Sequence, residues 1–310
     1  MNEALARAEI VLRAACGPRL RTQVSMAPLT TFRIGGPAAL YLEPESDADL
    51  AAVSAALAQV EIPVVILGKG SNVLVSDQGF PGLVLRLGRG YRWAARDGDE
   101  MTAGGAMPLP ALAGIALRHH LTGLEFGVAI PATLGGAVTM NAGAHARAMV
   151  DVVRSVEVFR LTSGRTESVG AADAGFTYRR SSLGDRAVVI GARLGLGPGE
   201  PVAIRALMDE AREWRRATQP LAEPNCGSVF KNPPDDHAAR LVEAAGLKGT
   251  RLGSVQVSTK HANFIVADPG GRADDVRRLI AQIQQAVEDR TGTRLEPEVQ
   301  LIGAFDDVAH

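Results

Sequence analysis

The chain has 310 residues, of which 46% are hydrophobic and 22% charged, and its formal net charge is −1. That length predicts two domains or one large one, with enough buried surface to fold without disulfide or metal staples. The balanced charge excludes a general electrostatic grip on nucleic acid or an anionic membrane, so a nucleotide ligand needs a local site.

The first clear element is a helix over 46–60. Ser46 is its N-cap, Asp49 completes a weak capping box, and Leu50, Val53, Leu57 and Val60 form one apolar stripe. Residues 63–67 read as a short strand running into Gly68-Lys69-Gly70-Ser71-Asn72, and 82–87 as another strand. A helix follows over 109–120, with strands over 152–161 and 187–194. Residues 195–201 (Gly-Leu-Gly-Pro-Gly-Glu-Pro) are the best linker candidate, because Gly and Pro break periodicity. Beyond it, 202–216 carries a helical stripe of Ile204, Leu207, Met208, Ala211 and Trp214. The clearest helix is 274–290, with Val276, Ile280, Ile283 and Val287 on one face and Thr291-Gly292 as its stop. The order is mixed α and β, with one domain before about residue 200 and a smaller α/β domain after it.

Six segments carry candidate chemistry. In Gly68-Lys69-Gly70-Ser71-Asn72-Val73, two glycines free backbone N–H groups to face an anion, which suits a pyrophosphate. Val73 stands where a dinucleotide fingerprint needs its third glycine, and a plain strand turn fits the hexamer as well. The second segment runs from Gly123-Leu124-Glu125-Phe126 through Ile130-Pro131-Ala132-Thr133-Leu134-Gly135-Gly136-Ala137 to Asn141-Ala142-Gly143. Its small residues let backbone lie against a large planar ligand, or form a tightly packed core turn. The third is Tyr178-Arg179-Arg180-Ser181, in which an Arg clamps a carboxylate unless it is a surface strand residue. The fourth is Asn225-Cys226-Gly227-Ser228-Val229-Phe230-Lys231-Asn232-Pro233, one turn with a thiol, a hydroxyl, an ammonium and amides. The last two are Lys260-His261-Ala262-Asn263-Phe264 and Leu295-Glu296-Pro297-Glu298-Val299. Each reads by itself as a loop beside a strand.

The two cysteines, Cys16 and Cys226, are too few for a disulfide framework and fit a reducing compartment. Residues 1–21 lack the apolar core of a signal peptide, and no run reaches the ~20 apolar residues of a membrane helix. A cytoplasmic protein without membrane or nucleic-acid partners is expected. His119, His120, His145, His237, His261 and His310 form no metal-binding motif, so no metal is expected. Cys226 has no sequence neighbour able to activate it as a nucleophile; that role requires a His such as His261 to be brought near in space.

Taken together and in this order, the six segments resemble the UDP-N-acetylenolpyruvoylglucosamine reductase family. The resemblance starts at Leu29-Thr30-Thr31-Phe32-Arg33-Ile34-Gly35-Gly36 and reaches Gly303. Its most specific parts are the run 227–233 and the Tyr178-Arg179-x-Ser181 tetrad. It implies an α/β (α+β) fold: a two-lobed FAD-binding domain of the vanillyl-alcohol-oxidase type over 20–198 (lobes about 20–85 and 86–198), then a substrate-binding domain over 203–303. It further implies non-covalent FAD, NADPH as co-substrate, and UDP-N-acetylglucosamine enolpyruvate as the molecule reduced. Gly68, Lys69, Gly70, Ser71 and Asn72 would hold the FAD pyrophosphate. Ile130, Pro131, Thr133, Gly135, Gly136 and Ala137 would line the flavin, with Asn141 and Gly143 close by. Arg179 and Glu298 would stabilise the enolate, Ser228 would protonate C2, and Lys231 and Asn232 would hold the UDP phosphates or sugar. A monomer is expected.

This chain departs from the family in having Ala129 and Ala132 where Gly is usual, and His145-Ala146 where an aromatic-Gly pair is common. With no Tyr after Tyr178, it resembles the branch without a tyrosine-bearing loop. Two rival readings exist: a flavin oxidase with another substrate, which has no need of Ser228, Lys231 and Asn232 together, and a nucleotide-sugar-binding protein that holds no flavin.

Overall fold

The computed structural model describes residues 3–305; His310 and the other chain-terminal positions lie outside the described residues. In chain order the elements are α1 (Glu3–Cys16), β1 (Arg21–Ser25), β2 (Pro37–Leu42), α2 (Asp47–Leu57), β3 (Val64–Ile66), β4 (Val73–Val75), β5 (Phe80–Leu85), β6 (Ala94–Asp97), β7 (Glu100–Gly104), α3 (Leu109–Arg118), β8 (Leu121–Thr122), α4 (Leu134–Thr139), β9 (Gly143–Ala144), β10 (Arg147–Ala148), β11 (Val153–Arg160), β12 (Arg165–Gly170), β13 (Ala187–Gly195), β14 (Gly197–Pro198), α5 (Pro201–Thr218), α6 (Ala238–Ala244), β15 (Arg251–Leu252), β16 (Val255–Val257), β17 (Ile265–Ala267), α7 (Ala273–Thr291) and β18 (Gln300–Ile302). They form two compact units. The first takes the chain up to Thr22, Leu40–Lys69 and Gly82–Arg215; the second takes Gln23–Ala39, Gly70–Pro81 and Arg216 onward.

The first unit is built on a five-stranded antiparallel sheet in the order β12-β11-β13-β7-β6. It contains two apolar cores. In one, Ala8, Leu12 and Cys16 of α1, spaced four apart and so on one helical face, join Leu50, Val53 and Leu57 of α2. In the other, α3, α4 and α5 are covered against β7, β11 and β13, with Leu109, Leu134, Val156 and Leu194 fully buried. Ser46 caps α2 as expected, its Oγ accepting the Asp49 N–H at 3.3 Å. The return half of the capping box is displaced by one residue, since the Asp49 carboxylate accepts from the Glu45 N–H at 2.8 Å.

Two expectations need correction here. Residues 195–201 are not a free linker: Gly197 and Pro198 pair with Thr122 and Leu121, and the Gly199 N–H donates to the His120 carbonyl at 2.9 Å. α5 therefore packs on the first unit, which it leaves only at Arg215. Its buried stripe is also narrower than expected. Ile204, Met208 and Ala211 are buried, while Leu207 and Trp214 are 52% and 48% exposed. At 100° per residue the last two fall together on one flank of the stripe.

The second unit surrounds a core of Val229, Phe230, Val242, Val257, Val276, Ile283 and their neighbours. α7 lies in this core through Val276, Ile280, Ile283 and Val287, and Gly292 in left-handed conformation (φ 71°) ends it. At its start, the Asp77 carboxylate accepts the N–H groups of Ala273 (2.9 Å) and Asp274 (3.1 Å). β15, β16 and β17 form an antiparallel sheet, and β4 pairs parallel with β18, Val73 opposite Gln300. Segments 23–39 and 70–81 thus pack with the C-terminal part of the chain, so the compact units interleave along the sequence.

Candidate active site

In the first unit, β3 delivers Gly68, and the turn before α4 delivers Thr133 beside it. A Cβ placed on Gly68 would stand 2.7 Å from Thr133 Oγ1, so only glycine fits there without a shift. Thr133 caps α4, its Oγ accepting the Gly136 N–H at 3.3 Å. A Cβ on Gly136 would meet nothing within 4 Å except that same oxygen, at 3.4 Å. Val64, Val65, Ile66, Ile130, Pro131 and Ala132 are all half-buried. Bare backbone at two glycines, one hydroxyl and half-buried apolar side chains fit a large, partly apolar ligand laid against the chain. These residues therefore suit FAD.

Other positions in this segment are accounted for by packing. The Gly135 N–H donates to Gly105 O at 2.9 Å, and the Ala137 side chain is fully buried. Gly143 sits where a Cβ would be 2.5 Å from the Arg147 carbonyl, across the β9–β10 hairpin. The turn of that hairpin is His145-Ala146, both with positive φ (52° and 58°), and the His145 ring meets the Trp214 ring edge-on at 5.2 Å. Asn141 is 5% exposed, also at positive φ (40°).

Arg179 sits in a tight turn rather than in a strand. Thr177 and Arg180 exchange both backbone hydrogen bonds, 2.9 and 3.2 Å long, with Tyr178 and Arg179 between them. Arg179 has φ 58°, a conformation that favours Gly or Asn at the third position of such a turn. Strain of this kind costs on the order of 1 kcal/mol and concentrates at functional sites. The guanidinium lies over the Tyr178 ring, 5.0 Å from its centre.

In the second unit, Ser228 and Glu298 lie on adjoining backbones. The carbonyl of Val229, next to Ser228, accepts the Glu298 N–H at 2.7 Å, and Lys231 N–H donates to the Glu296 carbonyl at 2.9 Å. Ser228 and Glu298 are both half-buried. Asn225 forms the start of the turn: its Oδ1 accepts the Gly227 N–H at 2.9 Å, and its Nδ2 donates to the carbonyls of Pro220 and Glu223. Thr31 holds Asn225 in turn, its Oγ1 donating to the Asn225 carbonyl at 2.7 Å.

The glycine loop after β3 divides between the units, with Gly68 and Lys69 in the first and Gly70, Ser71 and Asn72 in the second. Gly70 has φ 68° and a Cβ there would be 2.4 Å from the Leu29 carbonyl, so its packing alone demands glycine. Asn72 Nδ2 donates to the Glu298 carbonyl at 3.1 Å, and the Asn72 carbonyl accepts the Gln300 N–H at 3.0 Å. Asn72 therefore holds the segment that bears Glu298 and leads into β18.

Lys231 pairs with Glu296 at 2.5 Å, and Asn232 Oδ1 accepts the Ala238 N–H at 3.1 Å at the start of α6. Cys226 is buried, and that burial pushes its thiol up to about 12, with the nearby Glu298 charge adding to the shift. A thiol so held is not the thiolate a nucleophile needs. His261, whose own value burial lowers, accepts the Asn263 N–H through Nδ1 at 3.2 Å. Among the described residues, no three His, Cys, Asp or Glu side chains gather as a metal site.

Sequence reasoning gave Asn263 no role, yet it is 4% exposed and holds Phe230 from both sides. Its Oδ1 accepts the Phe230 N–H at 2.9 Å and its Nδ2 donates to the Phe230 carbonyl at 2.8 Å. The signal was present as an amide inside the apolar run Ala262-Asn263-Phe264-Ile265-Val266.

Residues 219–302 match the family profile described as UDP-N-acetylenolpyruvoylglucosamine reductase, C-terminal domain, and residues 38–170 match one described as FAD binding domain. UDP-N-acetylenolpyruvoylglucosamine reductase 2 of Symbiobacterium thermophilum is 45% identical over 286 residues, covering 92% of each chain. The reductase of an Anaeromyxobacter species is 44% identical over 299 residues, 96% of this chain and 93% of that one. The solved UDP-N-acetylenolpyruvylglucosamine reductase of Thermus caldophilus superposes with a TM-score of 0.80 at 34% identity, covering 91% of this chain and 99% of its own. The chain therefore belongs to the UDP-N-acetylenolpyruvoylglucosamine reductase family of FAD-dependent oxidoreductases.

Proposed function

We propose that the chain reduces UDP-N-acetylglucosamine enolpyruvate to UDP-N-acetylmuramate with NADPH, in peptidoglycan precursor synthesis. The observation that supports this best is the bond from Glu298 N–H to the Val229 carbonyl, which keeps a hydroxyl and a carboxyl on neighbouring backbones. FAD, which Gly68 to Asn72 and Ile130 to Gly136 would hold, would supply a two-electron hydride carrier between NADPH and C3 of the enolpyruvyl group.

The residues of this chain manage the charge and the proton. Hydride arrival at C3 leaves negative charge on C2 and the carboxylate. Arg179 binds that carboxylate through its planar fork, where stabilisation is greatest as charge builds. Glu298 assists in its protonated form, because only then does it donate a hydrogen bond. Ser228 gives its proton to C2, completing the lactyl ether. Lys231 and Asn232 bind the UDP phosphates or sugar, which requires Lys231 to leave Glu296. Gly68, Lys69, Gly70, Ser71 and Asn72 lie along the FAD pyrophosphate, and Ile130, Pro131, Thr133 and Gly136 along the flavin, whereas packing accounts for Gly135, Ala137 and Gly143 and the Asn141 amide is taken up by backbone partners. The flavin-binding function falls mainly to the first compact unit, of the vanillyl-alcohol-oxidase type, which keeps α5 up to Arg215, and substrate binding to the C-terminal part of the second. The enzyme works as a cytoplasmic monomer without nucleic-acid or membrane partners, and serves cell shape and division through the wall. No described helix is long and apolar enough to cross a membrane.

The test is steady-state: purified protein with NADPH and the enolpyruvyl nucleotide yields UDP-N-acetylmuramate by mass spectrometry. NADPH oxidised at the same rate with and without that nucleotide would point to a flavin oxidase instead.

A further inference from the structure

We infer that Asn141 is a positioning residue for Arg179: its buried amide fixes the turn that carries the guanidinium. The inference rests on the proposed role of Arg179 at the substrate carboxylate. Asn141 Nδ2 donates to the Thr177 carbonyl at 2.9 Å, and its Oδ1 accepts the Val150 N–H at 2.9 Å. The amide is 5% exposed and engaged at both ends. The Thr177 carbonyl is also the acceptor of the Arg180 N–H that closes the turn, so Asn141 grips the first residue of the turn at its closing bond. A second tether lies on the other side of Arg179, where Ser181 Oγ donates to the Thr139 carbonyl at 2.8 Å.

The turn needs such support. Arg179 is held at φ 58° without a glycine's freedom, and Tyr178 beside it is 53% exposed, so apolar burial does little to fix the pair. Asn141 is itself at φ 40°, a region Asn tolerates better than most residues. Its backbone is thereby aimed so that one short side chain spans from the end of α4 to the turn.

The isosteric change Asn141→Asp separates positioning from bulk. Its carboxylate keeps an acceptor for Val150 but turns a second oxygen toward the Thr177 carbonyl, and only the protonated acid donates there. We expect Asn141→Asp to slow reoxidation of the reduced holoenzyme by the enolpyruvyl nucleotide by about tenfold at pH 8, the usual scale for an orphaned buried group. NADPH reduction should stay at the parent rate. The loss should shrink as pH falls, a dependence absent from the parent. Trypsin cleavage after Arg179 should accelerate. In an Arg179→Lys background the same change should slow reoxidation less than twofold, because the group it positions is gone.

Equal slowing in both backgrounds would overturn the inference, as would parent-rate reoxidation in Asn141→Asp alone. If Arg179→Lys by itself reoxidises at the parent rate, the clamp reading fails and this inference falls with it. Should Asn141→Asp not fold, Ser181→Ala serves instead: it loses the second tether from an exposed position. It should raise trypsin cleavage and slow reoxidation in the Arg179 background only, and no effect on either would count against the inference.

Discussion

Asn263→Ala should destabilise the second unit by about 2–6 kcal/mol. The figure follows from the structure. The side chain makes two hydrogen bonds, both to Phe230, which is 1% exposed. Truncation leaves a buried N–H and a buried carbonyl without partners, at ~1–3 kcal/mol each. The main-chain bond from Val229 N–H to the Asn263 carbonyl does not depend on the side chain and survives. The perturbation is therefore confined to the segment around Phe230, two residues beyond Ser228, and turnover should fall along with stability. Urea unfolding followed by near-ultraviolet circular dichroism reads the loss, with FAD fixed at one saturating concentration because a bound ligand adds its own stabilisation. A change below ~1 kcal/mol, with turnover intact, would mean that Asn263 does not hold the Ser228 turn.

Ser228→Ala should lose about 10²–10⁴ in turnover, roughly 3–5 kcal/mol of barrier, while NADPH still reduces the flavin at a near-normal rate. Stopped-flow measurement of the two half-reactions decides this, and equal slowing of both would make Ser228 structural. Arg179→Lys should lower kcat with little change in nucleotide affinity, because an ammonium cannot make the paired contacts of a guanidinium. Ala146→Gly should stabilise by about 1 kcal/mol in thermal unfolding, since Ala146 lies at φ 58°; an unchanged or lower Tm would contradict the strain argument. Burial raises the Cys226 thiol from its ordinary 9 to about 12, so it stays neutral in the fold at a pH where the unfolded chain ionises. The resulting stability is complete below pH 9 and is lost as pH rises toward 12, a slope that Cys226→Ala should flatten. In the native protein neither buried cysteine should react with a thiol reagent at pH 8.

The elements with strong periodicity or clear caps were legible in the sequence. α2 and α7 announce themselves by Ser46, by the stripe 276–287 and by Gly292. Helix α1 was read only as the absence of a signal peptide, because its stripe of Ala8, Leu12 and Cys16 is narrow and set among charges. The interleaving of the units was not legible. It depends on long-range pairing, such as β4 with β18, that no local pattern encodes. At the site, motif order brought Ser228 and Glu298 to attention, and a bond from Glu298 N–H to the Val229 carbonyl puts them on adjoining backbones. The supporting roles of Asn72, Asn225 and Asn263 were hidden for a shared reason, although the sequence resemblance singles out Asn72 for the FAD pyrophosphate. Their side chains bond to backbone carbonyls and N–H groups, and backbone partners leave no mark in residue type. Gly70 and Gly143 show the converse, since neighbouring carbonyls account for both glycines without reference to a ligand.

The central claim is that one bound flavin links NADPH to the enolpyruvyl ether. The direct measurement is an anaerobic titration of the holoenzyme followed in the visible flavin band. NADPH added first should bleach the band, and the enolpyruvyl nucleotide added next should restore it with one UDP-N-acetylmuramate formed per flavin. A bleached band that the nucleotide leaves unchanged, while oxygen restores it, would contradict the account.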